Sequence, residues 1–294
     1  MSDHPAAHSV SHAKRDAIRT GALFLIGGEA LLAVMGALIK YVSDELSTEQ
    51  IVFFRNLAGL IILIPLILRQ GPSLLKTRVW HWHLMRGLVG VTAMYCYFWA
   101  IANMPLTEAF LVKLSSPLFM PLIAWVWLSE KSGKNSLLAL LVGFTGVAFI
   151  LRPGGDEGFS YVALVGLLGA FLAALAKVTI RKLSVTREPS QRIVFYFGVI
   201  ATTVSLPAAL TNWNPVPPSY WALLLVLGAV ATFGQLALTK AYKIAPTGSV
   251  GVYAYSAVVY GAFMGWLFWD EIPLWSTWIG AALIISSGLI NLRR

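Results

Sequence analysis

Long, nearly uninterrupted apolar segments make up most of this chain, and they restrict its fold more than any other feature. A helix crosses the hydrocarbon core of a bilayer with about 20 apolar residues. Charged residues are only 12% of the sequence, against about 25% in a soluble protein. The runs are continuous rather than alternating, which excludes a transmembrane barrel and predicts an all-α integral membrane protein. The predicted spans are 18–42, 49–68, 82–103, 106–128, 135–151, 159–182, 191–211, 219–242, 247–268 and 273–291.

The second half of the chain repeats the pattern of prolines, tryptophans, serines and acids of the first half. Residue types of this kind coincide by chance less often than Leu, Val or Phe, so the pattern indicates a duplication. We therefore predict a first repeat at 18–152 and a second at 153–294, preceded by a disordered cytoplasmic tail at 1–17. The matches, at an offset of 141 or 142 residues, are Pro65 with Pro207, Pro105 with Pro246, Ser115 with Ser256, Trp125 with Trp266 and Glu130 with Glu271.

Each predicted repeat contains five spans, and this odd number reverses the second repeat relative to the first. The prediction is therefore ten transmembrane helices arranged as two inverted five-helix repeats. Many transporters have this architecture, with the substrate bound near the midplane between the halves. Exchanging the conformations of the two halves would turn an inward-open protein into an outward-open one, which is alternating access.

The net charge of +9 is distributed as in a membrane protein rather than as in a nucleic-acid-binding protein. Basic residues collect in the loops after the second, fourth and sixth spans, and at both termini. Acids such as Asp44, Glu45 and Asp270 lie in the other loops, with Arg152 the main exception. By the positive-inside rule, both termini are cytoplasmic. We expect a multi-pass protein of the bacterial inner membrane with no nucleic-acid partner.

Several motifs resemble those of the ten-helix EamA-type branch of the drug/metabolite transporter superfamily. The resemblance covers residues 18–292 and implies a ten-helix transporter of small molecules. More narrowly, the chain is similar to the YddG-type exporters of aromatic amino acids and related metabolites. The motifs are Phe53-Phe54-Arg55, Pro117, Trp127-Leu128-Ser129-Glu130, and Trp269-Asp270-Glu271 with Gly280 and Gly288.

Three ionisable residues within the spans have no ionisable counterpart in the other repeat. Such residues are costly in a membrane and commonly functional. Glu29 could couple protons, bind a substrate amine or make a structural hydrogen bond. Arg55 and Lys113 could bind a substrate carboxylate, although Arg55 could pair with an acid and Lys113 could extend to the outer surface. We expect Lys40 and Lys177 to extend to the membrane surface.

Polar and aromatic residues recur at helical spacing on the third, eighth and ninth spans. Because a lipid-facing surface needs no hydroxyl groups, these stripes should face the interior and line a cavity for a small amphipathic molecule. Packing between helices and anchoring at the membrane interface are the alternative explanation. The predicted substrate-binding residues are Tyr95, Trp99, Gln235, Tyr253, Ser256, Tyr260, Arg55 and Lys113, with Glu29 as a possible coupling residue.

The sequence contains no phosphate-binding loop, no metal-ligand cluster and no paired acids at one depth of a span. We therefore predict no catalytic residues, no cofactor and no metal. The predicted function is a monomeric secondary transporter in the lipid bilayer that exports small amphipathic metabolites, principally amino acids including aromatic ones. The alternatives are a multidrug or sugar-conjugate carrier or, from another class, an intramembrane enzyme.

Overall fold

A computed structural model describes residues 5–71, 75–128, 134–151, 161–186, 188–244 and 251–292. Within these ranges the chain forms eleven α-helices and one short 3-10 helix. The predicted boundary at 152–153 and the motif residues Ser129 and Glu130 lie outside them. The helices are α1 Pro5–Val42, α2 Thr48–Gln70, α3 Trp80–Asn103, α4 Leu106–Lys113, α5 Ser116–Leu128, α6 Lys134–Leu151, α7 Tyr161–Val185, α8 Ser190–Thr211, α9 Tyr220–Ile244, α10 Ser256–Trp269 and α11 Trp275–Leu292, and the 3-10 helix is Gly251–Tyr255.

Six helices of the described ranges are long and apolar enough to cross a membrane: α1, α2, α3, α7, α8 and α9. Over Trp275–Ser287, α11 is a shorter apolar helix. Most helix ends lie within a few residues of the predicted segments, because apolar runs ended by polar or proline-containing loops mark helix ends clearly. The start of α1 and the irregular fourth and ninth spans are the exceptions. The chain is a multi-pass membrane protein.

The first helix begins earlier than the sequence predicted. We expected a disordered tail over residues 1–17, whereas α1 begins at Pro5. Proline is favoured in the first turn of a helix, and no glycine or further proline occurs before Gly21. A polar composition therefore did not decide between a helix and a disordered segment.

The fourth predicted span is broken into α4 and α5 rather than continuous. At the break, the backbone N–H of Ser115 donates to the carbonyl of Val112 at 3.0 Å. Donor and acceptor are three residues apart, as in a 3-10 turn, whereas an α-helix joins residues four apart. Pro117 follows the break and supplies no backbone donor. The ninth span is also irregular, since the 3-10 helix gives way to α10 at Ser256, the residue that matches Ser115.

The helices pack in pairs that join the first half of the chain to the second. Helix α1 packs against α9, α2 against α8, α3 against α7, and α6 against α11. Helix α2 also packs against α9, and small residues allow this approach and that of α1 to α9. A Cβ atom on Gly228 of α9 would lie 2.4 Å from that of Ala58 of α2, and one on Gly28 of α1 would lie 2.3 Å from Leu238 of α9. Close packing through small residues is how membrane helices associate, and it brings α2, α8 and α9 together around one cavity.

Candidate substrate-binding cavity

A small cavity lies between α2 of the first half and α8 and α9 of the second half. The space between its atoms, open mouth included, is about 260 Å³, and the enclosed part has room for about one water molecule in this conformation. Its lining combines polar and apolar side chains, as a site for a small amphipathic molecule would. Its lining residues are Arg55, Asn56, Gly59, Leu60, Leu63, Val194, Phe197, Gly198, Thr232 and Gln235.

Arg55 is the charged residue of this lining. A capping box formed by Ser47 and Gln50 starts α2, and Arg55 follows two turns later. Its side chain is only 7% exposed, and its Nη1 donates to the Oδ1 of Asn56 at 2.7 Å. Its Nε has no hydrogen-bond partner among the described residues. A buried guanidinium with an unused donor can bind an anionic group of a substrate.

Arg86 of α3 is not part of this lining, but it contacts the lining residue Phe197. Its guanidinium carbon lies 4.2 Å from the centre of the Phe197 ring, and that of Arg55 lies 5.8 Å from it. Nε and Nη1 of Arg86 have no partner in the described part of the chain. Gly90 makes room for this side chain, since a Cβ there would lie 2.1 Å from Nη1.

The sequence analysis did not select Arg86, because it lies near a helix end and follows a basic loop. The glycine one turn later was the signal that could have identified it. Asn56 and Phe197 were also missed as parts of the cavity.

Glu29 and Lys113 form an ion pair, with the ammonium nitrogen 3.3 Å from the carboxylate. Glu29 is buried, and Lys113 also faces the rings of Tyr97 and Phe110 at 5.5 and 5.3 Å. The ammonium group of Lys113 therefore faces Glu29, and Lys113 is not among the residues that line the cavity.

Two other lysines within the predicted spans make contacts that the sequence did not predict. Lys177 donates to the hydroxyl of Ser116 at 3.2 Å. Lys40 forms an ion pair with Glu271 and donates to the carbonyl of Met104 at 3.1 Å. The other carboxylate oxygen of Glu271 accepts the backbone N–H of Leu106, the first residue of α4, at 2.7 Å. These contacts were invisible in the sequence because the partners are distant along the chain.

Of the predicted site residues, the structure brings Arg55 and Gln235 together in the cavity lining. The rest lie outside that lining. Tyr95 is half-buried with a hydroxyl that lacks a partner in the described residues, and Trp99 packs on Tyr161 at 5.7 Å. Tyr253 is 40% exposed and its carbonyl accepts from Ser256, whereas Tyr260 packs against the main core. Ser249, which shares their stripe, lies outside the described residues.

Comparison with known proteins agrees with a transporter fold. The model of the EamA-like transporter family matches the chain twice, over residues 19–152 and 160–293. A crystal structure at 21% sequence identity covers 92% of this chain and 96% of its own, with a TM-score of 0.66. At that identity the likeness concerns the fold alone.

Three curated relatives are transporters of different small molecules. The pseudopaline exporter CntI of Pseudomonas aeruginosa is 37% identical, over 92% of this chain and 95% of its own length. The riboflavin transporter of Vibrio cholerae is 28% identical over 91% of each chain. The S-adenosylmethionine uptake transporter of Rickettsia prowazekii is 30% identical over 85% of this chain and 84% of its own. The chain thus belongs to the EamA-like transporter family of the drug/metabolite transporter superfamily, and it is a transporter rather than an enzyme.

Proposed function

We propose that the chain is a secondary transporter that exports small amphipathic metabolites, principally amino acids including aromatic ones. The observation that carries this proposal is the cavity between the two halves, where Arg55 presents an unused donor beside apolar walls. An amino acid has a carboxylate that a guanidinium binds well and a side chain that needs an apolar surface.

The proposed mechanism is alternating access between two inverted five-helix repeats, at 18–152 and 153–294. The helix packing supports it. If α1, α2, α3 and α6 are exchanged with α7, α8, α9 and α11, the contacts α1–α9 and α3–α7 replace each other. The contacts α2–α8 and α6–α11 map onto themselves. A fold with an internal two-fold axis has this property, and the double match of the family model fits it.

Interrupted helices at matched positions support the same mechanism. The break between α4 and α5 and the start of α10 occur at Ser115 and Ser256. Broken helices near the repeat interface commonly form substrate and ion sites in transporters. In this proposal, movement at the two breaks opens the cavity to one side at a time. Tyr95, Trp99, Tyr253, Ser256 and Tyr260 would then meet the substrate in a more open state.

The direction of transport is proposed from the relatives. The pseudopaline exporter is 37% identical to the chain, which favours export. The S-adenosylmethionine uptake transporter at 30% identity favours uptake as the second candidate. We propose a monomer in the bacterial inner membrane with both termini in the cytoplasm, from the distribution of basic loops.

An efflux assay tests this proposal. Cells that express the chain are loaded with labelled phenylalanine, washed, and followed for release of the label. We expect faster release than from cells that express an equal amount of the Arg55→Gln variant. Equal release from the two would contradict export through this cavity, and greater retention than in control cells would indicate uptake instead. A reporter fused to the C-terminus tests the orientation, because only a reporter that works in the cytoplasm should be active.

A further inference from the structure

We propose that Arg55 and Arg86 together form a site for a substrate with two carboxylates, so that dicarboxylic derivatives of amino acids bind better than amino acids with one carboxylate. This inference rests on the proposed function and extends its cavity from Arg55 to Arg86, which contacts the lining residue Phe197. It begins with the two guanidinium groups, which are both 7% exposed and both contact the ring of Phe197.

Neither arginine has an acidic partner among the described residues. Arg55 donates to a neutral amide, that of Asn56. Arg86 has two nitrogens, Nε and Nη1, without any acceptor in this part of the chain. Both guanidinium groups lie against the ring of Phe197, so two like charges share this part of the interior and repel each other. A buried charge without a partner is strongly unfavourable, so an anion bound between the two groups would stabilise both.

The surroundings add to this excess of positive charge. Three further charged residues of the packed helices are Glu29, Lys113 and Lys177, and Glu29 is the acid among them. Its charge is taken up by Lys113 at 3.3 Å. Lys177 contacts a neutral hydroxyl, that of Ser116. Arg55 and Arg86 therefore lack a compensating carboxylate in the described interior, and a bound molecule has to supply it.

The number of charges distinguishes the candidate ligands. A zwitterionic amino acid brings one carboxylate and one further positive charge, so its net charge leaves both arginines uncompensated. A molecule with two carboxylates neutralises both guanidinium groups and can use the fork of donors on each. The cavity lining also contains the apolar side chains of Leu60, Leu63, Val194 and Phe197, which favours an apolar body beside the acids.

A pair of nearly isosteric compounds measures the contribution of the second carboxylate. Affinities of N-benzoyl-aspartate and N-benzoyl-asparagine are determined from the ligand-induced shift in thermal unfolding of the purified full chain. The structure predicts that the aspartate compound binds the parent about ten to a hundred times more tightly, the range for one charge-assisted hydrogen-bonded contact. In Arg55→Gln and in Arg86→Gln this preference should fall to about threefold or less, whereas Arg69→Gln, which removes an exposed arginine, should retain it.

Unfolding of the ligand-free protein separates binding from a structural role. Replacing one of two repelling buried cations should leave the melting temperature of the ligand-free Arg86→Gln protein unchanged or higher. If that variant melts lower and keeps the preference for the aspartate compound, the arginine is structural and the proposal is wrong. If the Arg86→Gln variant does not fold, Arg86→Lys replaces it in the binding measurement. Lysine keeps the positive charge but lacks the planar fork of donors. Its preference for the aspartate compound should therefore lie between those of the parent and of Arg55→Gln.

Two further outcomes decide the ligand chemistry and the dependence on the proposed function. If phenyl phosphate binds the parent more tightly than N-benzoyl-aspartate, the site is a phosphate site and the dicarboxylate assignment is wrong. If the parent binds both benzoyl compounds equally but still releases phenylalanine from cells, the proposed function stands and this inference fails. If the preference is found and depends on both arginines while no compound is transported, the site stands and the proposed function fails.

Discussion

Arg55 and Phe197 stand at matching positions of the two halves, 142 residues apart in sequence, and contact each other across the cavity at 5.8 Å. The packing of α2 on α8 brings the matched positions together. The halves therefore share a backbone pattern but differ in chemistry where they meet. One supplies a cation and the other an aromatic ring, and Arg86 adds a second cation to the same ring.

Replacing the shared ring should weaken substrate binding. In Phe197→Leu the two guanidinium groups lose a cation–π contact that is worth about 0.5–2 kcal/mol per group. We expect the KM for transport to rise about threefold to tenfold with little change in maximal rate. Phe263→Leu is the matched control, since Phe263 of α10 is half exposed and does not line the cavity. Equal effects of the two substitutions on KM would show that the contact has no special role.

The pair of Glu29 and Lys113 predicts a specific pattern of stability. Glu29→Gln leaves a buried ammonium without its acid and should lower the free energy of unfolding by about 3 kcal/mol. Lys113→Met in the same protein should recover most of that loss, because the unpaired charge is removed. Chemical denaturation of both variants in one detergent checks this. A double variant no more stable than Glu29→Gln would show that the ion pair does not explain the loss.

Glu29 also decides whether transport is coupled to protons. If its carboxyl carries protons, an imposed pH gradient should drive transport in the parent and not in Glu29→Gln. The measurement is the initial rate in vesicles with and without the gradient. A parent that ignores the gradient is a facilitator, and its Glu29 then acts on structure or on substrate binding.

The contact of Lys40 with Glu271 should hold one end of the cavity closed. It joins α1 to the loop after α10, and Glu271 also accepts the first N–H of α4. Glu271→Gln weakens both contacts. The probe is the single cysteine that Thr232→Cys places in the cavity lining of a Cys96→Ala protein. We expect a membrane-impermeant thiol reagent, added outside, to react with this cysteine at least about twofold faster when Glu271→Gln is also present.

Asp270→Asn is the control for that experiment, since it removes the same charge one residue earlier. Asp270 is exposed and has a left-handed backbone with φ of 51°, which asparagine also adopts readily. The labelling rate should remain at the parent value in this control. A rate raised equally by both substitutions would mean that surface charge, and not the contact with Lys40, controls access.

Glu188, in the loop between α7 and α8, should make stability depend on pH. Burial by itself raises its pKa, but hydrogen bonds from Arg192 at 2.8 Å and Thr77 at 3.0 Å outweigh this and lower the pKa below its ordinary value. Because the folded-state pKa is the lower one, the stabilisation is present at neutral pH and is lost as pH falls through the folded-state pKa.

The measurement for Glu188 is the melting temperature of the parent and of Glu188→Gln between about pH 7 and pH 3, the range that spans the titration of a carboxyl group. The parent should be more stable than the variant by about 1–2 kcal/mol at neutral pH, and the difference should shrink as the pH is lowered. Asp44→Asn, a loop acid at the other end of the helices, should show no such convergence. A difference that stays constant with pH would rule out the ionised form of Glu188 as the stabilising species.

Much of the fold could be predicted from the sequence because each span is a continuous apolar run with clear ends. The break after Lys113 was not predicted, since α4 and α5 form one apolar segment in which only Pro117 gives a local signal. The helical start at Pro5 was missed for the opposite reason, because a polar composition is compatible with both a helix and a disordered tail.

The candidate site was only partly predictable. Arg55 was identifiable because a charge in a span is costly and has no counterpart in the second half. The tyrosine stripes indicated which helix faces are polar, but not which of those faces meet around one cavity. That depends on which helices pack together, as do the ion pairs of Glu29 and Lys40. For Arg86 the sequence offered one local signal, Gly90 one turn later, and its contact with Phe197 depends on the packing of α3 on α8.

The central claim is that a cavity between two inverted halves carries a carboxylate-bearing metabolite across the membrane by alternating access. Counterflow in proteoliposomes tests it most directly. Vesicles are loaded with unlabelled phenylalanine or N-benzoyl-aspartate, and the uptake of labelled compound is followed over time. We predict transient accumulation of label above equilibrium for the parent and for Arg69→Gln, and loss of most of it for Arg55→Gln. No accumulation with the parent, or the same accumulation with Arg55→Gln, would contradict the account.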